Sequence, residues 1–364
     1  MKEAPADGTA SVPNPPEAPP AHWSRQKEQA AGYWHLKFLL ILFRFFPVIV
    51  LRILAFPVGL FYFLFSKRSR TESKRFLQKA APFIKNQKTA KKCNSPFGPV
   101  RHIISFSLTL VEKLQSWGNK FCFSGIYFHD DDVGELVEGL EKGQGAFLFS
   151  SHLGNIELFR ALASYNRAGV MSGKSAPAAG SDKVKITVII DMKATENFNR
   201  IIKELNPNSA LDVISADEIN LNTAILLEEK LAAGEVVTIA GDRTSASTFQ
   251  KNIMIPFLGE DAPFSFGAFY MAALLKAPIY FVLALRRGDL SLKTEYDMFV
   301  HKVNLSSKST GVEPGDVGAA AGSRKERTRL SNELARTYAA FLENYCKETP
   351  FQWYNFHDFW SNGA

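Results

Sequence analysis

The chain has 364 residues, with 43 Lys and Arg against 36 Asp and Glu, a formal net charge of +7 and a pI of about 9.1. Hydrophobic residues make up 46% of it and Phe alone contributes 30, enough for one large α/β domain with appendages. The positive charge points to acidic partners, but no finger, recognition-helix or RNA-platform pattern is present, so an anionic membrane surface or an acidic carrier protein is favoured over nucleic acid.

In chain order, residues 1–22 are rich in Pro, Ala and Glu and predict a disordered leader that lacks the apolar core of a signal peptide. Residues 23–75 form a membrane-associating segment. Within it, residues 36–65 are strongly apolar but interrupted by Arg44, Arg52, Pro47 and Pro57. On a helix, Lys37, Arg44 and Arg52 fall within an arc of roughly 80°. That predicts a helix lying in the interface with its cations toward headgroups, broken at Pro47; a bent or re-entrant span fits the same residues. Lys67, Arg68, Arg70, Lys74 and Arg75 follow, and the positive-inside tendency then keeps the downstream domain cytoplasmic.

Residues 76–364 read as the main domain. Residues 85–99 are basic and turn-rich and predict a loop; residues 103–114 predict a helix. A strand at 146–149 leads into a helix starting at Ile156. Residues 171–185 read as a flexible insertion. Its near miss to a phosphate-binding loop fails on spacing and on context, because Gly169 to Gly173 is one residue short and no strand precedes it. Then come a strand at 185–191, a helix at 195–205, a strand at 211–215, a helix at 220–233 closed by Gly234, and a strand at 236–240. A helix at 268–275, strands at 278–285 and 290–299, a mobile loop at 305–324 and an amphipathic helix at 327–347 complete the pattern. The alternation predicts an α/β fold with a mostly parallel central sheet flanked by helices.

Cys93, Cys122 and Cys346 are widely spaced and form no paired motif, which fits a reducing compartment without a disulfide framework. No His/Cys spacing suits a metal, and neither metal nor cofactor is expected. No Gly-x-Ser-x-Gly elbow occurs, and none of the cysteines sits in a nucleophile motif.

Two polar clusters fall at predicted strand C-termini, where parallel sheets carry their sites. The first is His152-Leu-Gly-Asn-Ile-Glu157; the second is Gly241-Asp242-Arg243-Thr244. Residues five apart on a helix point roughly 140° apart. His152 and Glu157 can therefore meet only if His152 lies off the helix and folds back over its first turn, with Asn155 as N-cap. In that geometry a carboxylate takes one imidazole N–H and leaves the other nitrogen as a base. A loop-capping His with a solvated Glu157 fits the same spacing, and a turn-closing ion pair fits Asp242 and Arg243.

His-x-x-x-x-Glu between a strand and a helix resembles the His-x-x-x-x-Asp/Glu motif of the lysophospholipid acyltransferase superfamily, and this form is nearest to the lipid A biosynthesis late acyltransferases. The segment Ile255-Pro-Phe-Leu-Gly-Glu-Asp-Ala-Pro-Phe and the aromatic tail containing Gln352-Trp353 are similar to segments of the same branch. Gly-Asp-Arg at 241–243 departs from that branch's usual acidic pattern and marks a side group whose acceptor need not be lipid A.

The resemblance implies a glycerolipid acyltransferase-like fold on the cytoplasmic face of a bacterial inner membrane. The implied reaction moves an acyl group from an acyl carrier protein thioester, or from acyl-coenzyme A, to a hydroxyl of a lipid or glycolipid. In it His152 is the general base, paired with Glu157. Arg243, held by Asp242, binds a phosphate or carboxylate, and the backbone N–H groups of Leu153, Gly154 and Asn155 face the oxyanion. A lipid hydrolase on the same fold and a non-catalytic membrane scaffold remain alternatives.

Overall fold

The computed structural model describes residues 37, 41–117, 125–129, 132–162, 184–190, 211–216, 219–244, 252–275, 277–305 and 323–360. The expected leader at 1–22 and helix at 195–205 lie outside them, as do most of the expected insertion at 171–185 and of the loop at 305–324. The apolar N-terminal run breaks at Pro47, which has no N–H to give a helix and stands as N-cap of α1 (Val48–Phe65). Among the described residues α1 is the helix long and apolar enough, by length and composition, to cross a membrane. Leu51, Arg52, Ala55 and Gly59 face inward, whereas Ile49, Ile53, Val58, Phe61, Leu64 and Phe65 are exposed.

Arg52 corrects the expected placement of the N-terminal cations. It is only 4% exposed and pairs at 3.1 Å with Glu112 instead of turning outward. Arg44 is exposed as expected.

Next comes α2 (Lys67–Ala80), N-capped by the Ser66 hydroxyl, which presents Ser69, Ser73, Phe76, Leu77 and Ala80 inward. The expected boundary after residue 75 falls inside this helix. The expected loop at 85–99 is largely helical: Asn86 accepts from the N–H groups of Lys88 and Thr89 and starts α3 (Gln87–Cys93). After a short turn, α4 (Gly98–Trp117) packs along α1 and α2. Gly59 makes that approach possible, because a Cβ there would lie 2.9 Å from Ser107 Oγ and 3.0 Å from Ile104 Cα.

The remaining described elements are β1 (Ile126–Phe128), α5 (Asp132–Glu141), β2 (Ala146–Ser150), α6 (Glu157–Leu162), β3 (Ile186–Ile190), β4 (Leu211–Ser215), α7 (Leu221–Ala232), β5 (Val236–Ala240), β6 (Asn252–Phe257), β7 (Glu260–Ser265), α8 (Phe266–Leu274), β8 (Ile279–Arg286), β9 (Tyr296–Lys302) and α9 (Arg324–Glu348). Seven strands form one sheet in the order β1-β9-β8-β2-β5-β3-β4, and β6 pairs with β7 as a separate antiparallel hairpin. From β8 to β4 the strands run parallel; β9 turns back against β8, and β1 follows β9. The strand expected at 290–299 thus starts six residues later, after the turn at Gly288.

Every residue of β2 is buried, as a central parallel strand requires. Side chains alternate between the two faces of the sheet. Phe147 and Phe149 join Phe269, Phe281, Leu334 and Tyr338 beneath α8 and α9. Ala146 and Leu148 join Val133, Val236 and Val282 on the opposite face. The result is an α/β sandwich whose most buried strands end at the His152 loop.

Candidate active site

Strands β2 and β5 lie side by side, with Ser150 opposite Ala240. Two residues beyond that pair, each chain reaches its polar residue, so the register alone brings His152 beside Asp242. His152 Nδ1 lies 2.8 Å from Asp242 Oδ1, and the His152 backbone N–H donates to Oδ2 at 2.8 Å. The same Oδ2 accepts from Trp353 Nε1 at 2.9 Å and from Asn355 Nδ2 at 3.0 Å. Burial works to raise the pKa of this carboxyl, which is only 1% exposed. The His152 charge and the donors from His152 and Trp353 outweigh burial and hold it at about 2. Asp242 is therefore ionised at neutral pH.

Burial in its pocket lowers the His152 pKa below 6.5, and the Arg243 charge lowers it further; Asp242 opposes both. The ring keeps 29% exposure, so this group is partly solvated. At pH 7 the imidazole is neutral. With Nδ1–H directed to a carboxylate, Nε2 carries the lone pair, and no described residue takes it.

A local bulge produces this presentation. Phe149 pairs with Phe281 on β8, and Gly154 next bridges Ala284, so five steps on one chain match three on the other. The two extra residues push the His152 loop out of the sheet. Gly154 has φ +78°, and a Cβ there would lie 2.1 Å from Ala284 O, so only glycine fits. The C-terminal tail closes the other side. Gly154 N–H donates to Gln352 O at 2.9 Å, Tyr354 N–H donates to His152 O at 3.0 Å, and Leu153 bridges Trp353. The Gln352 amide clasps the Arg286 backbone through two 2.9 Å bonds. His102 Nε2–H donates to Trp353 O at 2.9 Å while its Nδ1 meets Ser73 Oγ; burial drops its pKa to about 4 and keeps it neutral.

Several expectations change here. The place on the imidazole expected for Glu157 is taken by Asp242. Glu157 begins α6, and its backbone N–H is capped by Asn155 Oδ1 at 3.2 Å, the N-cap that the sequence implies. The three backbone N–H groups expected at the oxyanion are engaged: Leu153 with Ser151 Oγ, Gly154 with Gln352 O, and Asn155 with Ala284 O at 2.8 Å. Gly154 and the buried Asn155 thereby shape the loop. Arg243 Nε donates to Asn355 Oδ1 at 3.1 Å, so the tail anchors the arginine and Asp242 turns to the histidine. Comparison with known families finds no family model that matches the chain, and comparison with curated proteins finds no match.

Sequence reasoning missed the tail residues Trp353 and Asn355 as holders of Asp242. The signal available was the Gln-Trp pair in the aromatic C-terminal tail, whose indole N–H and the nearby Asn355 amide need acceptors once buried. Among the described residues no three His, Cys, Asp or Glu side chains converge as metal ligands. The arrangement is chemically a base: a neutral imidazole, oriented by a buried carboxylate and near enough to Arg243 to feel its charge.

Proposed function

We propose that this chain is a membrane-associated O-acyltransferase that moves an acyl group from a carrier thioester to a hydroxyl of a lipid or glycolipid. The observation that carries the reading is the double hold of Asp242 on His152, which leaves Nε2 free as a general base. Nε2 takes the proton of the acceptor hydroxyl as its oxygen attacks the thioester carbonyl. The resulting imidazolium is stabilised by Asp242 and returns the proton to the departing thiolate. Arg243, close enough for its charge to act on His152, takes the developing oxyanion or a phosphate of either substrate, since the neighbouring loop amides are engaged.

The resemblance to the lysophospholipid acyltransferase superfamily supports the donor class, with acyl carrier protein favoured over coenzyme A. The bare apolar face of α1 supports a membrane-borne acceptor, the basic flank at 67–75 supports a cytoplasmic domain, and the resemblance supports an inner membrane as its site. The test is thiol release from acyl carrier protein thioester by purified protein in mixed micelles. Release that requires a lipid hydroxyl, with appearance of the acylated lipid, is expected. Equal release without acceptor would make the protein a hydrolase, and no turnover with carrier or coenzyme A donors would make it a scaffold.

A further inference from the structure

Between α2 and α4 the chain presents a second surface with a composition of its own. Residues 80–99 contain four lysines, Lys85, Lys88, Lys91 and Lys92, and no carboxylate. All four are exposed. Lys88, Lys91 and Lys92 stand at i, i+3 and i+4 on α3 and so share one face, while Cys93 points inward. Two carboxylates on neighbouring elements are already paired: Asp289 Oδ1 takes Arg101 Nη2 at 2.8 Å, and Glu260 takes Lys79.

Two phenylalanines flank the lysines. Phe83 is 41% exposed and Phe97 is 75% exposed, each preceded by an exposed proline. Their presentation is fixed by the backbone. Phe97 N–H is bound by Ser95 Oγ at 3.2 Å, and Gly98 packs so tightly on the end of α3 that a Cβ would lie 2.9 Å from the carbonyls of Lys92 and Cys93. The Phe83 ring lies over Gly259 at the turn between β6 and β7, where a Cβ would lie 2.8 Å from its tip.

We infer that this face is a second membrane contact, in addition to α1, and that it docks on an anionic bilayer. Lysines that are point charges on flexible stems suit a diffuse layer of headgroups. Recognition of a defined carboxylate on a protein partner favours the planar fork of arginine, and residues 80–99 contain none. Two exposed phenylalanines flanking the cations in sequence supply the apolar insertion that a bilayer rewards. The surface makes α1 one of two attachment points and so fixes how the domain sits on the membrane. It does not depend on the transfer chemistry.

The test is partitioning of the full chain, without acyl donor, onto vesicles at limiting lipid. One set is phosphatidylcholine alone and the other is phosphatidylcholine with phosphatidylglycerol. Each lysine near such a surface is worth roughly fivefold in partitioning. The protein should therefore prefer the anionic vesicles, and salt should erode the preference. Replacing Lys85, Lys88, Lys91 and Lys92 by Ala should cut the preference by ~10²-fold or more, down to what Arg44 and the cations at 67–75 contribute, while α1 still holds the protein on neutral vesicles. Phe83→Ala with Phe97→Ala should weaken binding to both vesicle types. In Phe97→Trp, brominated lipid should quench the added indole. An unchanged anionic preference in the lysine variant, or an unquenched indole, would overturn the inference. So would a lysine variant that keeps its vesicle binding and loses affinity for an acidic carrier protein. Failure of acyl transfer in micelles would leave these partitioning results standing.

Discussion

Asp242 holds His152 through the ring and through the backbone amide, so Asp242→Asn disturbs both the tautomer and the loop. A loss of ~10²–10⁴ in kcat/KM is expected, the range typical of general-base catalysis. Added to His152→Ala, the same change should cost little more, because the two residues act as one unit; steady-state kinetics showing multiplicative losses would separate them. Glu157→Gln, at the start of α6, should be much milder. The pH profile gives a second reading. In the proposed reaction the neutral imidazole is the active form, so the rate should rise with pH through a His152 pKa that burial and Arg243 keep below 6.5. Removing that cation in Arg243→Gln should therefore move the acid limb to higher pH, and an unmoved limb would show that its charge does not act on the base. The sequence placed His152, Asp242 and Arg243 at strand ends. Local spacing then paired His152 with the wrong carboxylate, because the true pairing depends on the register of β2 and β5, whose residues stand ninety positions apart.

At the scale of elements, α1 shows where a periodic pattern stops being informative. The arc of Lys37, Arg44 and Arg52 is visible in the sequence, but which cation turns inward depends on an acid on α4. Glu112 is fully buried and accepts from Arg52 at 3.1 Å and from the Tyr296 hydroxyl, while Arg286 Nε lies 3.7 Å away. Arg286 itself donates through Nη2 to Ser105 O at 2.8 Å and to Tyr354 OH at 3.3 Å, which ties the network to the tail beside the His152 loop. Glu112→Gln would leave two buried guanidiniums without their counter-charge. A destabilisation of about 3–5 kcal/mol is expected, read as a lower urea midpoint with an unchanged slope. Midpoints equal to wild type would show that the network is not a stability element. The hairpin of β6 and β7 was hidden for a different reason. Pro256 and Pro263 argue against strands, yet a two-stranded ribbon has outward edges on which a missing N–H is tolerated.

For the whole molecule, alternating strand and helix patterns made the parallel sheet legible. The reversed edge of β9 and β1 was not, since two turn-flanked leucines at Leu290 and Leu292 imitate a strand start. The division into anchor and domain also fails to describe the packing. Leu51 and Ala55 of α1 form one cluster with Leu108, Val111 and Leu114 of α4, and the same interface buries the Arg52–Glu112 pair. Removing residues 1–66 would return those α4 side chains to water at about 1.5–3 kcal/mol for each fully uncovered large one, and would leave Glu112 facing solvent where Arg52 had been. The truncated chain should therefore aggregate, or lose use of the lipid acceptor, even in detergent. Removing only residues 1–22 should change neither solubility nor transfer. Size-exclusion chromatography and acyl transfer in mixed micelles, run on both truncations beside the full chain, distinguish the outcomes. A monodisperse, fully active protein starting at Lys67 would reduce α1 to a tether and show that the α1–α4 interface is dispensable to the fold.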